Sequence, residues 1–252
     1  MKVLHLSCFL IFLILSCNSL FAEKLTLYTE EFPPFNFTQN EKSIGISTQV
    51  VEAVMKKAGF EYTIISLPWA RAFKISQSKP NSFIFSISRR PKRENLFKWV
   101  GVIAPSTHSV FALKNRTEIK IDKIEDMKKY EIGTSIKDSR EEYLISKGFI
   151  LSSFQRVAGD TAYLQNYKKL KRKRIDLWPA PDAVMDYIVK KEGDQPNKVL
   201  KKVFILSEIS TNGFYMAASL STKDIVVDKI RMTLEEFKKT KEYKIILQKW
   251  GL

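Results

Sequence analysis

The tract Ser86-Ile87-Ser88-Arg89-Arg90-Pro91-Lys92-Arg93-Glu94 carries the residue types best suited to chemistry in this chain. It follows the apolar run Phe83-Ile84-Phe85, which reads as a buried strand, so its polar groups fall where a strand ends. Small hydroxyls and backbone N–H groups there, with an arginine a few residues on, suit capture of a carboxylate. A guanidinium is a planar fork of donors that matches two carboxylate oxygens, and short side chains let the backbone approach. The same tract also reads as a basic surface loop, with Arg89, Arg90 and Lys92 reaching into water.

Other residues have comparable potential. Phe32 precedes Pro33-Pro34-Phe35, and a proline pair stiffens the loop that presents it, either as a platform or as a core aromatic. Trp69 follows a helix-starting proline, and Arg71 lies two residues beyond it, facing a pocket or capping a sheet. Ser139 with Glu142 three residues later makes a capping-box pattern, and the same helix start offers free N–H groups to an anion. The histidines are His5 and His108, too few for a typical zinc site or a His-paired catalytic set. His108 therefore reads as an ordinary polar residue, and no metal or cofactor is expected.

Positioning these residues requires alternating strands and helices, an α/β pattern. LTLYT reads as a strand. Thr48 to Ala58 reads as a helix with Val50, Val51, Val54, Met55 and Ala58 on one face, closed by Gly59. Strand Tyr62 to Leu67, helix Ala70 to Gln77 and strand Ser82 to Phe85 follow. After Pro105, the alternation at Val110 and Ala112 leads to a second set: Tyr130 to Gly133, helices Ser139 to Lys147 and Ala162 to Lys169, strand Ile175 to Trp178, helix Asp182 to Lys190 and strand Lys202 to Leu206. Phe214 to Ser219 reads as a returning strand before terminal helices Asp224 to Lys239 and Glu242 to Trp250. With no repeat and no long linker, this order suits two lobes that the chain crosses between twice.

The ends and the composition bound the class. Lys2, the apolar run Val3 to Leu15 and the small residues up to Ala22 make a signal peptide, cleaved after Ala22. Ile14-Leu15-Ser16-Cys17 also resembles a lipobox, which makes a lipoprotein anchored at Cys17 the alternative. Cys8 and Cys17 both lie in this segment, so the mature chain has no disulfide and no cysteine site. Net charge is +15, yet only ten of the 42 basic residues are arginine and the lysines are scattered. For an exported chain this favours anionic envelope surfaces over nucleic acid. The dense run Lys168 to Arg174 reads as the solvated end of a helix.

The order EEFPPFNF (Glu30 to Phe37), Gly45, LPWARAF (Leu67 to Phe73) and SISRRPKR resembles the bacterial extracellular solute-binding proteins of family 3, in a divergent branch with the PWARA element. The resemblance runs from about Leu25 to Gly251. It implies the two-lobed periplasmic binding protein-like fold of type II, with two hinge crossings and the ligand in the cleft between lobes. Residues 1–22 would be the signal peptide, 23–105 with 212–252 the first lobe, and 106–211 the second. It further implies that Phe32 covers the ligand, Trp69 forms a second apolar wall, Ser86 and Ser88 contact the ligand, and Arg93 binds its carboxylate. Asp138 and Ser139 match the second-lobe loop, although Lys137 stands where the family commonly has glycine. Arg90 replaces the usual threonine and makes the site more electropositive if it turns inward. The family's amine-binding aspartate falls at Pro181, leaving Asp182, one place late, or Glu31 beside Phe32 as the counter-charge. The implied function is a monomeric receptor for a small carboxylate-bearing solute, an amino acid or a related molecule, serving an ABC-type permease or a membrane sensor. An enzyme on the same scaffold, such as a dehydratase, would have only Glu31 and Asp182 as acid or base.

Overall fold

Leu25 and Leu27 alternate with Thr26 and Tyr28, and this run forms β1 (Leu25–Thr29) between two parallel partners. In chain order there follow β2 (Phe37–Gln39) and β3 (Lys42–Ile44), which form a hairpin, then α1 (Ile46–Ala58), β4 (Tyr62–Ser66), α2 (Trp69–Ser78) and β5 (Ser82–Ile87). A 3-10 turn (Pro91–Leu96) leads to β6 (Phe97–Ala104). Next are β7 (His108–Leu113), β8 (Ile132–Ser135), α3 (Ser139–Ser146), β9 (Phe154–Val157), α4 (Ala162–Lys171) and β10 (Trp178–Pro181). The elements α5 (Asp182–Lys191), α6 (Pro196–Val199), β11 (Leu200–Ile205) and α7 (Ser207–Ser210) complete that part. The chain ends with β12 (Phe214–Ser219), α8 (Asp224–Lys238) and α9 (Lys241–Lys249). This computed structural model describes residues 24–210 and 213–252, so the amino-terminal signal-like segment and both cysteines lie outside the described residues.

Two lobes result. The first is built on a five-stranded sheet of order β4-β1-β5-β12-β6, in which β4, β1 and β5 are parallel and β12 runs antiparallel to β5 and β6. The second holds the antiparallel trio β10-β7-β11 and the parallel pair β8-β9, linked by a bridge between Ile132 and Leu177. A sheet that loses the chain after four strands and regains it as a fifth has the expected type II architecture.

Packing follows the sequence pattern. Val50, Val51, Val54 and Met55 of α1 bury against Leu25, Leu27, Phe83 and Phe85, joined by Ile230, Leu234 and Phe237 of α8. Each such side chain contributes about 1.5–3 kcal/mol by leaving water. The opposite sheet face, with Tyr28, Ile84 and Ile87, is covered by Ala72 and Phe73 of α2. Strand β5 is therefore buried on both faces, which is why it reads as an unbroken apolar run.

Several details depart from the sequence reading, among them the strands β2, β3 and β9, which it did not name, and β8, which lies two residues later than read. Strand β6 was not anticipated, because its apolar residues fall on both faces without alternation. The strand expected from Ile175 begins only at Trp178 and runs through Pro179 and Pro181. The prolines are tolerated because β10 ends its three-stranded sheet, and residues two apart lack N–H groups along the same edge. Strand β11 starts two residues early, and the cap of α3 is Asp138 rather than Ser139. The Asp138 side chain accepts from the N–H groups of Arg140 and Glu141, which leaves Glu142 free of capping.

The chain crosses between lobes at residues 105–107 and again between α7 and β12. Gly213 brings the two crossings together: at φ +68° its Cα faces the Ala104 carbonyl, where a Cβ would lie 2.3 Å from the oxygen. One apolar cluster spans this junction and joins Phe32, Phe35, Ala104 and Phe214 to Tyr163, Tyr167 and Trp178 of the second lobe.

Candidate functional site

The 3-10 turn that begins at Pro91 folds Arg93 back under β5, so that Arg93 is only 3% exposed. Its guanidinium lies over the rings of Trp69 and Phe73, at 5.3 and 5.2 Å from their centroids. It donates to the Ser88 carbonyl at 3.4 Å and, across the cleft, to the Lys137 carbonyl at 3.5 Å. Its shortest contact, 2.7 Å, is from Nη2 to the Glu142 carboxylate on α3 of the other lobe. Burial lowers the Arg93 pKa, with Glu142 opposing, and burial raises the Glu142 pKa, with Arg93 opposing. Both groups move toward neutrality, so desolvation outweighs their pairing. The Arg93 Nε finds no partner among the described residues.

Ser86 occupies a bulge. Tyr215 pairs with Ile87 and Met216 with Phe85, which leaves Ser86 as the extra residue, at φ +60°. Bulges re-aim a side chain, and here the Ser86 hydroxyl is buried beside the cleft without a hydrogen-bond partner among the described residues. Ser88 donates to the Ser139 hydroxyl at 3.3 Å, and the Trp69 indole N–H donates to the Lys137 carbonyl at 3.2 Å, both between lobes. Lys137, where the family commonly has glycine, takes a φ of +61°.

Phe32 is 2% exposed and stacks among Phe35, Tyr163 and Phe214, with centroid separations of 5.3, 5.2 and 5.1 Å. Its neighbour Glu30, not foreseen from the sequence, lines the cleft. Burial raises the Glu30 carboxyl to a pKa of about 8, with Arg140 and Arg93 pulling it down and Asp138 and Asp160 pushing it up. Arg140 was also not foreseen. It is buried, bound to Asp138 at 2.9 Å and to the Tyr163 hydroxyl at 2.6 Å, with its Nη1 3.2 Å from His108 Nδ1. Burial and the nearby Arg140 and Arg90 cations hold His108 well below its usual pKa, so Nδ1 accepts from Arg140. Reading alternation back from Phe32 would have exposed Glu30, which shares its parity. Nothing comparable marks Arg140.

The structure thus gathers Phe32, Trp69, Ser86, Ser88, Arg93 and Ser139 around one cleft. Three other candidates lie elsewhere. Glu31 points away and braces β2 and β4, accepting from the Thr38 N–H and hydroxyl and from Ser66. Asp182 is bound to Lys202 at 2.5 Å and lines a separate groove of about 970 Å³ beside Tyr187 and Trp250. Arg90 turns sideways between the lobes, donating to the Ile209 carbonyl at 3.4 Å in a cavity of about 280 Å³. Burial and the Arg93 and Arg140 cations lower its pKa to about 10. Arg89 pairs with Glu94 and covers Trp99 and Tyr215, while Arg71 and Lys92 are exposed.

The cleft is shut. Its central cavity measures about 20 Å³, room for one water. A neighbouring cavity of about 130 Å³ shares Glu30, Trp69, Asp138 and Tyr163 with it. Among the described residues no group of His, Cys, Asp and Glu is placed to hold a metal ion, and no helix is long and apolar enough to cross a membrane.

The family model described as bacterial extracellular solute-binding proteins, family 3, matches residues 25–252. The arginine-binding extracellular protein ArtP of Bacillus subtilis (strain 168) is 20% identical over 232 residues, covering 90% of this chain and 86% of its own. An ancestral arginine-binding protein bound to arginine superposes with a TM-score of 0.76 at 22% identity, covering 91% of this chain and 98% of the other. A histidine kinase sensor domain with similarity to periplasmic binding proteins gives 0.78 at 18% identity, covering 91% and 96%.

Proposed function

The chain belongs to the bacterial extracellular solute-binding proteins, family 3, and from that premise we propose that it is an exported receptor for a small solute bearing both a carboxylate and a cationic group. The observation that carries this reading is Arg93, buried between two aromatic rings and already holding a carboxylate from the opposite lobe. A ligand carboxylate takes that position with a fuller complement of donors: the guanidinium fork including the free Nε, and the Ser86 hydroxyl. Phe32 and Trp69 supply the apolar walls. Glu30, with no hydrogen bond to its carboxylate among the described residues, is the counter-charge for an ammonium or guanidinium group, in place of Asp182 and Glu31.

Amino acids with basic side chains fit this charge pattern, and the arginine-binding relatives support them as first candidates. Closure of the lobes on the ligand, with delivery to an ABC-type permease, is the mode of action. The likeness to a kinase sensor domain supports a membrane sensor as the second kind of partner.

A thermal-shift screen of amino acids, organic acids and polyamines tests the reading, since a ligand at 100 times its Kd adds about 2.7 kcal/mol. Stabilisation by a basic amino acid, recovered unchanged, is the expected result. Stabilisation only by polyamines would refute the carboxylate assignment, and a converted ligand would replace the receptor with an enzyme.

A further inference from the structure

We infer that Glu142 is an internal competitor for the ligand's carboxylate, a latch that joins the two lobes by occupying Arg93. The inference rests on Arg93 being the carboxylate site. Three observations meet at this contact. The lobes meet around a central cavity of about 20 Å³ lined from both sides. The carboxylate at Arg93 is the protein's own, and among the described residues it forms the ion pair between Arg93 and the opposite lobe. Two contacts flank it, Ser88 to Ser139 and Trp69 to the Lys137 carbonyl, so the protein's own groups seam the lobes on either side.

The latch is built to yield. Glu142 engages only Nη2, leaving the Arg93 Nε and the Ser86 hydroxyl buried and without a partner among the described residues. A diffusible carboxylate can reach all three, and buried donors without partners favour whichever acceptor satisfies them. The Glu142 side chain is 33% exposed, so it has a path back to water when displaced. Helix capping does not hold it in place, because Asp138 performs that role. Free protein held closed by Glu142 binds ligand more weakly by the factor its open, competent fraction falls short of one.

Small-angle scattering of the ligand-free mature protein, compared with Glu142→Gln and Glu142→Ala, tests this alongside calorimetry with L-arginine as the probe. The substitutions should enlarge the ligand-free radius of gyration and raise L-arginine affinity by about tenfold or more. Glu142→Gln keeps the side-chain volume and carries the test if the alanine variant does not fold. Unchanged dimensions overturn the latch, and so does a fall in affinity, which would make Glu142 a ligand contact instead. Expansion of the variants with no amino acid bound by any of the proteins would support the latch while removing the receptor reading beneath it.

Discussion

Arg93 concentrates the testable chemistry at the scale of single residues. Arg93→Ala strips the cleft of its carboxylate partner, and loss of one member of a buried charge pair costs about 2–5 kcal/mol in binding. The low end is expected here, because the free protein also loses its own pair with Glu142. Arg93→Lys should bind nearly as poorly, since an ammonium cannot present the fork. Calorimetry with the stabilising ligand measures both. Glu30 adds a pH dependence. In the closed cleft its pKa is about 8, chiefly through burial, with Arg140, Asp138, Arg93 and Asp160 as the charges facing it. Parting the lobes returns it to water and to an ordinary value near 4.5. The closed form thus keeps a proton that the open form releases. Its penalty is absent below about pH 4.5, grows up to about pH 8 and is constant above. Scattering of the ligand-free protein should show opening as pH rises through that window, and Glu30→Gln should flatten the response. Arg93, Ser86 and Ser88 were legible because a strand end and a donor set declare themselves locally. Glu142 was not, since its capping-box spacing was satisfied one residue earlier by Asp138 and its real partner lies 49 residues away.

Elements matter through how they aim these groups. The loop bearing Phe32 is stitched to the start of α1, where the N–H groups of Ile46 and Ser47 donate to the Pro34 and Phe35 carbonyls at 3.0 and 2.8 Å. Gly45 permits this approach: its φ is +117°, and a Cβ there would lie 2.5 Å from the Phe35 oxygen. Gly45→Ala should cost about 1–3 kcal/mol and lower the melting temperature by about 2–4 °C for each kcal/mol. Thermal unfolding by circular dichroism checks this, and an unchanged melting temperature would mean the loop shifts freely. Helix α1 was plain in the sequence because its stripe of Val and Met repeats at helical spacing and ends at Gly59. Strand β10 was displaced in the reading because its prolines argue against a strand, and only its edge position removes the objection.

For the whole molecule, the two lobes could be read from the alternation of elements and from the absence of any linker. The contacts that join the lobes could not, because they depend on side chains meeting across the cleft from distant parts of the chain. The basic run at the end of α4 is only partly a free charge: Lys168 and Lys171 pair with Glu192 and Asp194, while Arg172, Lys173 and Arg174 stay exposed. Export remains the expectation for the native chain, with Glu23 as its first residue after cleavage. Mass spectrometry of protein from the native host checks it. A chain that begins at Met1 would contradict export, and one that begins at a lipidated Cys17 would substitute a membrane anchor.

The indole of Trp69 gives the molecule an optical gauge of its own. Trp99 and Trp250 donate their N–H groups within the first lobe and Trp178 is sealed inside the second, whereas Trp69 donates to a carbonyl across the gap. When the lobes part, that ring keeps its guanidinium cover, loses its acceptor across the cleft and meets solvent. Emission should then shift to the red, with no dye or label attached. Trp69→Phe should silence the change while the scattering still records opening, and a shift that survives the substitution would assign the signal to another ring.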